Sequence, residues 1–371
     1  MNKTHSTLRR MCATTLAIAL AFPGTAFAQT RVDDTDLIEG ANAVGGGTAT
    51  YGGGSLTMEN VVADNVWTDE SLTMDFNGGN DIDKVQVAGD AEVTTNFSGN
   101  NEVEDIEAYN NAKLTVNMND HNEFEDIEGY DNANVTVNVT GKTECESIKG
   151  YDNATVTVQG TTCPKKDVIE VGEDESSEGI RTKDGDLAVK DVTVVMHSTN
   201  AQVASAGGDV DITCTKIESG DGNERVDVRA GDDLFVGGSV IDIKGSVSAG
   251  DDLTIRRSNV DVKKAEGDES PYRVWAEGDV ELIEEENGEV REGTIDGKKV
   301  SYVDTDDGDD VHLTSALTPC YYKCDGNSNG HFLAKRLPTT GEADHMGAQA
   351  AALSLGTLIL YAGFKMRKAR A

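Results

Sequence analysis

Aromatic side chains are scarce in this chain of 371 residues, where Phe, Trp and Tyr together make up 5%. A core with so few rings has to be thin and filled by Val, Ile and Leu. Helical periodicity is nearly absent as well, and Gly, Asn and Asp interrupt short apolar alternations throughout. These absences argue against a helical fold and favour an all-β chain of short strands.

Basic residues are also few, with 32 Lys and Arg against 67 Asp and Glu, which gives a formal net charge of −35. Such a surface repels nucleic acid, so no nucleic-acid partner is expected. It attracts cations, and Asp325, Asn327 and Asn329 match the first half of a calcium-binding EF-hand loop. Position 12 of that loop is Arg336 instead of Glu. The preferred interpretation is a turn, and no cofactor is predicted.

Catalytic motifs are lacking too. The sequence has no nucleophile motif, dinucleotide fingerprint or phosphate-binding loop. Paired carboxylates are too frequent among 67 acidic residues to indicate a hydrolase. Arg256 and Arg257 near Asp251 and Asp252 are the one local arrangement suited to a polysaccharide lyase, and an exposed turn is the preferred interpretation. The chain is therefore not predicted to be an enzyme.

Residues 1–28 have the features of a secretory signal peptide. Lys3, Arg9 and Arg10 precede an apolar run that ends in Ala-Phe-Ala. Cleavage is expected after Ala28, and residues 29–41 then form an N-terminal arm. Export would place the remaining chain where disulfides persist.

A second apolar segment lies near the C-terminus. Residues 346–364 carry no charge, and about 20 apolar residues are needed to cross a bilayer as a helix. Four Lys and Arg residues follow at once, and a basic end stays on the cytoplasmic side. This segment is predicted to be a transmembrane helix that holds the precursor transiently in the plasma membrane.

The pentapeptide before this segment is Leu337-Pro338-Thr339-Thr340-Gly341. Together with the apolar span and basic tail, it resembles the sorting signal of Gram-positive LPXTG surface proteins, which are sortase substrates. The resemblance implies cleavage between Thr340 and Gly341, removal of residues 342–371, and transfer of the Thr340 carbonyl to a peptidoglycan-precursor amine. The product is a secreted protein attached covalently to the cell wall. A tail-anchored membrane protein is the alternative.

Cysteine usage leaves the disulfides open. Cys320 and Cys324 are close enough in sequence to pair, and Cys145 with Cys163 is a second candidate pair. Cys214 follows the apolar alternation of its strand, so we expect a buried free thiol there.

The middle of the chain is a repeat. Three segments align without gaps, and Tyr109, Tyr130 and Tyr151 are 21 residues apart. Apolar positions follow the same spacing, and the predicted core columns are Val103, Phe124 and Cys145, and Ile106, Ile127 and Ile148. Downstream the spacing varies, but Asp186, Asp209, Asp233, Asp252 and Asp279 each precede an alternating strand.

A period near 20 residues suits one coil of a parallel β-helix, whereas a propeller blade needs about 40. We therefore predict an all-β, single-stranded parallel β-helix of about nine coils over residues 42–290, with right-handed winding. Residues 291–336 break the pattern and are predicted to form a cap and a stalk, since an open coil end exposes unpaired strand edges.

Two side-chain ladders follow from the repeat. Asn111, Asn132 and Asn153 would exchange amide hydrogen bonds between coils. The three tyrosines would form an aromatic file, which either packs the turns or stacks on sugar rings.

The downstream coils resemble the Gly-Asp-rich β-helical repeats of carbohydrate-binding bacterial surface proteins. This resemblance and the sorting signal together predict an adhesin or carbohydrate-binding display module. Its expected partners are a sortase and the peptidoglycan precursor, with a glycan or host-matrix ligand. The alternatives are a polysaccharide lyase or hydrolase built on a β-helix, and a structural component of the envelope or of a pilus.

Overall fold

The structure is a computed structural model that describes residues 29–119, 122–172, 179–198, 200–220, 225–265, 270–305 and 310–323. These residues form β-strands, turns and one short 3-10 helix. The N-terminal strands are β1 (Thr30–Val32), β2 (Thr35–Asp36), β3 (Gly40–Val44), β4 (Gly47–Gly52), β5 (Ser55–Glu59), β6 (Val62–Ala63) and β7 (Val66–Thr68).

The central strands follow in an unbroken series. They are β8 (Leu72–Asn77), β9 (Asp81–Val87), β10 (Glu92–Ser98), β11 (Glu102–Ala108), β12 (Lys113–Asn119), β13 (Glu123–Gly129), β14 (Asn134–Thr140), β15 (Lys142–Gly150), β16 (Thr155–Gly160), β17 (Val168–Val171), β18 (Gly179–Thr182), β19 (Leu187–Lys190), β20 (Thr193–Met196) and β21 (Asn200–Ser205).

The C-terminal strands complete the described chain. They are β22 (Val210–Thr213), β23 (Lys216–Ser219), β24 (Arg225–Ala230), β25 (Leu234–Gly237), β26 (Val240–Ala249), β27 (Leu253–Arg256), β28 (Asn259–Lys263), β29 (Val274–Ala276), β30 (Val280–Ile283), β31 (Glu285–Glu286), β32 (Glu289–Ile295), β33 (Lys298–Asp304) and β34 (Val311–Ser315), followed by the 3-10 helix η1 (Cys320–Lys323).

The chain passes back and forth between two sheets. In the first sheet β5, β8, β10, β12, β14, β16, β19, β22, β25, β27 and β30 lie side by side. In the second sheet β9, β11, β13 and β15 are neighbours, and in several later turns the equivalent strand is split in two, as in β17 and β18, whereas β26 is continuous. Strands of successive turns pair in parallel, for example β12 with β14 and β11 with β13. The fold is thus an all-β parallel solenoid of about nine turns, as predicted.

The 21-residue period sets the register between turns. Val103 pairs with Phe124, and Phe124 with Cys145. Ile106, Ile127 and Ile148 form a second column and are fully buried. Both predicted core columns are therefore confirmed. The few core rings also stack on each other, since the Phe76 and Phe97 centroids lie 4.7 Å apart.

The turn after each strand of the second sheet explains the Tyr-Asn/Asp-Asn-Ala motif. Asn110, Asp131 and Asp152 have φ of 62°, 61° and 53°, the left-handed region that Asn and Asp tolerate better than most residues. The next residue points outward and forms the predicted amide ladder. Asn132 donates to Asn111 at 3.3 Å, and Asn153 donates to Asn132 at 3.2 Å.

A second asparagine ladder is buried, and the sequence interpretation missed it. Asn80, Asn101 and Asn122 lie between a strand of the first sheet and the next strand of the second, with exposures of 1%, 2% and 4%. The Asn80 amide donates to Asn101 Oδ1 at 2.7 Å, and the Asn101 amide donates to Asn122 Oδ1 at 2.8 Å. Each amide also donates to the carbonyl three residues earlier. The ladder therefore satisfies polar groups at a corner that excludes water.

Hydroxyl groups occupy a similar corner in later turns. The N–H of Thr215 donates to Ser239 Oγ and that of Ser239 to Ser258 Oγ, both at 3.1 Å. The N–H of Ser258 donates to Glu285 Oε1 at 2.7 Å. Burial raises the pKa of Glu285 to about 7. Glu285 therefore ends this ladder beneath the C-terminal cap.

Antiparallel strands close both ends of the solenoid. At the N-terminus β3, β4 and β5 form a meander, so the parallel turns begin at Ser55 and not near residue 42. The predicted arm contributes β1, which pairs antiparallel with β7. At the C-terminus the β32–β33 hairpin pairs with β29, and β34 pairs with β28 and β31. These strands cover edges that would otherwise be open for pairing.

The disulfide pattern differs from the sequence expectation. Cys214 is bonded to Cys320, 106 residues away, so Cys214 is not a free thiol and the Cys320–Cys324 pairing is wrong. Cys145 is a buried free cysteine, and Cys163 is disulfide-bonded, so the Cys145–Cys163 pairing is wrong as well. The physical reason is that η1 folds back against the solenoid, where the Tyr321 N–H donates to the Gly238 carbonyl at 3.1 Å. The sequence prediction paired cysteines that are close in sequence, so it missed the contact between η1 and the solenoid.

The buried ladder should carry more stability than the exposed one. Asn101→Ala removes an acceptor and a donor that other buried groups use, and it should lower the free energy of unfolding by about 2–3 kcal/mol. Asn132→Ala makes the same chemical change in the exposed ladder and should cost less than about 1 kcal/mol. Equilibrium denaturation of both variants measures the difference. Equal losses would contradict the role given to burial.

The disulfide should also stabilise the fold, because it closes a long loop. In the chain-entropy model a loop of about 100 residues contributes about 4.7 kcal/mol. Replacing Cys214 and Cys320 together by Ala should therefore lower the free energy of unfolding by about 3–5 kcal/mol. The control is Cys145→Ala, which removes no cross-link. A non-reduced peptide map lacking the Cys214–Cys320 peptide would refute the assignment directly.

Candidate basic cleft on the second sheet

Successive strands of the second sheet bring one outward position of each turn into a single column. We call it the outer column. Its members, in order, are Gln86, Glu107, Glu128, Lys149, Arg181, Ala204, Arg229, Ser248 and Trp275. The charge of the column changes from negative to positive between Glu128 and Lys149.

In the acidic part of the column, Glu107 is only 4% exposed. Its carboxylate accepts hydrogen bonds from Lys84 at 2.6 Å, Gln86 at 2.7 Å and the Tyr109 hydroxyl at 2.5 Å. Burial alone would raise the pKa of Glu107, but these donors outweigh it and hold the pKa below its usual value. This end of the column is therefore internally neutralised and has a structural explanation.

The tyrosine file runs beside the same column. The Tyr109 and Tyr130 rings stack at 4.8 Å with an interplanar angle of 7°, and Tyr130 and Tyr151 stack at 4.8 Å and 10°. Tyr130 has both faces covered, so it is not a stacking platform for a ligand. The file is thus largely a packing device, and only its end rings have a face directed away from another tyrosine.

Tyr151 is the end ring that borders a cavity. The next turn places Lys183 in register above it, because the Lys183 N–H donates to the Gly150 carbonyl just as the Tyr151 N–H donates to the Gly129 carbonyl. The Tyr151 hydroxyl donates to Glu128 Oε1 at 3.1 Å. Burial and Glu128 raise the pKa of Tyr151 to about 12, so the phenol stays neutral at physiological pH. The hydroxyl is therefore held by Glu128, and the Tyr151 side chain lines the cavity together with Lys183.

The cavity beside Tyr151 has a volume of about 340 Å³. Four of the described residues that line it are basic, and none is acidic: Lys149, Arg181, Lys183 and Arg229. Gln202 and Ala204 contribute to its wall. The cavity therefore differs sharply in charge from the chain as a whole.

A second cavity of about 340 Å³ adjoins the first, and Gln202 and Arg229 line both. Trp275, Ser246 and Ser248 line the second cavity, and Asp296 at the tip of the β32–β33 hairpin borders it. Five strand spacings separate the turn of Tyr151 from that of Trp275, which is about 24 Å. The second cavity is lined by as many acidic as basic residues, so the excess of positive charge lies in the first cavity. We call the two cavities together the basic cleft.

The aligned aspartates of the downstream repeats have a different role. The N–H of Asp209 donates to Asp186 Oδ1 at 3.0 Å, and the same bond links Asp233 to Asp209, Asp252 to Asp233, and Asp279 to Asp252. These carboxylates cap the backbone of the following turn. Next to this ladder, carboxylate oxygens of Asp232, Asp233 and Asp251 lie within 4.8 Å of one another. Such groups are common on acidic surfaces, and we assign no metal to this one.

The residues considered for lyase chemistry lie apart from the cleft. Arg257 donates two hydrogen bonds to Glu284. Arg257 also has a φ of 51°, which fits the exposed-turn interpretation. An arginine engaged in this way supports the turn rather than a catalytic site.

Several predicted sites lie outside the described residues. They are the signal peptide 1–28, Cys324, the calcium candidates Asp325, Asn327 and Asn329, the sorting motif Leu337–Gly341 and the segment 346–364. Within the described ranges, no helix has the length and apolar character needed to span a bilayer. Comparison with known proteins found no matching family model, curated protein or solved structure.

The sequence interpretation named Tyr151 but missed the cations around it. One signal was present, because the aligned repeats read Ile106-Glu107, Ile127-Glu128 and Ile148-Lys149. The change from Glu to Lys at one repeat position marks the start of the basic cleft. Arg181 and Arg229 carried no comparable signal, since the spacing between turns is irregular beyond Lys149.

Proposed function

We propose that this chain is a cell-wall-anchored surface protein that displays its solenoid to bind carbohydrate, and so acts as an adhesin or carbohydrate-binding module. Export and anchoring are supported by the signal peptide and by the sorting signal at Leu337–Gly341. Right-handed winding is part of the same proposal. The observation that carries the binding function is that Tyr151, the last ring of the tyrosine file, lines the cavity at the head of the basic cleft.

Carbohydrate suits this cleft for three reasons. The apolar C–H face of a sugar ring packs on an aromatic face, and Tyr151 and Trp275 supply one such ring in each cavity. Gln202 lines both cavities and offers hydrogen-bonding groups to sugar hydroxyls, as does Ser246, whose hydroxyl donates to Asp227. The length of about 24 Å fits a chain of several sugar units better than a single small molecule. Each cavity is also within the size range of ligand sites.

The enzymatic alternative has less support in the cleft. Two of its carboxylates are held in ion pairs, with Arg225 Nε at 2.9 Å from Asp227 and Lys298 Nζ at 2.9 Å from Glu277. A glycosidase needs one carboxylic acid that stays protonated as the general acid. Neither of these ion-paired carboxylates lines the cavity that contains Tyr151. The binding proposal is therefore preferred, and turnover is retained as an outcome of the binding experiment.

Anchoring is tested in a bacterium that produces the chain together with a sortase. Thr340→Ala should leave the protein unattached to peptidoglycan, because the acyl group transferred is that of Thr340. Thr339→Ala changes the variable position of the motif by the same atoms and should remain attached. Muramidase digestion of washed cells, followed by detection of the released protein, measures both variants. Equal release of the two would remove the support for sortase attachment.

Binding is tested by applying the purified full-length chain to a glycan array. We expect retention of one group of related glycans, and Tyr151→Ala should weaken it by about tenfold, since an aromatic contact contributes about 0.5–1.5 kcal/mol beyond its area. Tyr109→Ala removes the other end ring of the file and should leave binding unchanged.

The same array samples are examined for new reducing ends or unsaturated sugars, whose appearance would replace the adhesin proposal with an enzymatic one. Thermal unfolding of both tyrosine variants controls for folding. If no glycan is retained, or if both variants lose binding equally, the proposal is wrong.

A further inference from the structure

We propose that the ligand of the basic cleft is an acidic polysaccharide, one that carries carboxylate or sulfate groups on its sugar rings. This inference rests on the proposed carbohydrate-binding function and adds the chemical class of the ligand. The juxtaposition behind it is an aromatic side chain and four basic side chains that line one cavity, on a chain whose acidic residues outnumber its basic residues by 67 to 32.

The charge distribution is the first argument. A net charge of −35 repels an anionic polymer at long range. At physiological ionic strength, however, salt screens this repulsion at distances beyond about 8–10 Å. The local field then decides the contact. Lys149, Arg181, Lys183 and Arg229 line the cavity with no acidic residue among the described lining residues. A neutral sugar would not use this field, whereas an anionic one would.

The individual pairings show which charges are already engaged. Lys149 Nζ lies 3.3 Å from Asp126, and its side chain is only 14% exposed. Lys183 Nζ lies 3.1 Å from Asp152 at the rim. Arg229 is exposed, and its guanidinium has no hydrogen-bond or ion-pair partner in the described part of the chain. Arg229 is therefore the cation with its donors available.

The position of Arg229 gives it a central role. It is two turns beyond Arg181 in the outer column and lines both cavities. A guanidinium binds a carboxylate or sulfate through two parallel hydrogen bonds. A sugar stacked on Tyr151 would direct its neighbours along the column toward Arg229. Acidic groups spaced along a polysaccharide chain fit this arrangement of ring and cations.

The experiment measures binding of the purified full-length chain to polygalacturonate, alginate and heparin. Dextran, carboxyl-reduced polygalacturonate and desulfated heparin are the neutral or less charged comparisons. We expect the acidic polymers to bind at least tenfold more tightly than their matched comparisons, with affinity falling as salt is raised. Single-stranded DNA is included to test whether any polyanion suffices.

Arg229→Gln should weaken binding of the acidic polymer at least tenfold and reduce its salt dependence. Arg257→Gln is the matched control, because it removes the same charge from an arginine that pairs with Glu284 away from the cleft. Its binding should equal that of the unaltered protein. Loss of binding in both variants to the same degree would indicate a general charge effect and would overturn the inference.

The outcomes separate this inference from the proposed function. If neutral glycans bind as well as acidic ones and Arg229→Gln has no effect, the acidic ligand is wrong and the carbohydrate-binding function stands. If DNA binds as tightly as the acidic polysaccharides, the assignment to polysaccharide is overturned. If no polysaccharide binds, both the inference and the proposed function fail.

Discussion

The parallel stacking of one turn on the next is the constraint on which the rest of this structure depends. Neighbouring strands lie about 4.8 Å apart, so a side chain at a given position of one turn contacts the side chain at the same position of the next turn. An apolar side chain then contacts another apolar side chain, as Ile106, Ile127 and Ile148 do. An amide is well suited to this arrangement, because it donates to one neighbour and accepts from the other. The two asparagine ladders follow directly from that property.

Stacking identical charged side chains on successive turns is unfavourable, because like charges repel. The carboxylates of this chain are stabilised in two ways. Aspartates of the downstream turns accept backbone N–H groups of the following turn, as Asp209 does from Asp233. Glu107 instead accepts from a lysine, a glutamine and a tyrosine at once. Both solutions use the carboxylate internally. The basic cleft is unlike them, since Arg229 has no internal partner in the described chain. This contrast is why the cleft, and not an acidic ladder, is the candidate binding surface.

Much of the fold could be predicted because the period is visible in the sequence. Fixed 21-residue spacing sets the register, and the register fixes the core columns and the exposed Asn111 ladder. The buried Asn101 ladder was missed because polar residues between strands are typical of ordinary turns, whether they are buried or exposed. The caps were located only in outline, since antiparallel pairing of β3 with β4 leaves no periodic signal. The disulfide prediction was wrong because Cys320 bonds to Cys214, 106 residues away in the sequence. No local sequence pattern indicates that contact.

The return of η1 has a mechanical consequence if the chain is anchored as proposed. Tyr321 hydrogen-bonds to Gly238, and its hydroxyl lies 3.1 Å from the Thr193 hydroxyl, well before the last turn of the solenoid. Cys320 is bonded covalently to Cys214 in the same region. A pull on the chain beyond Lys323 would therefore load the disulfide and the flank of the solenoid first. The β32–β33 hairpin, which covers the last turns and borders the basic cleft, would be spared. If the chain is anchored in this way, the Cys214–Cys320 disulfide lies between the point of pulling and the hairpin that borders the cleft.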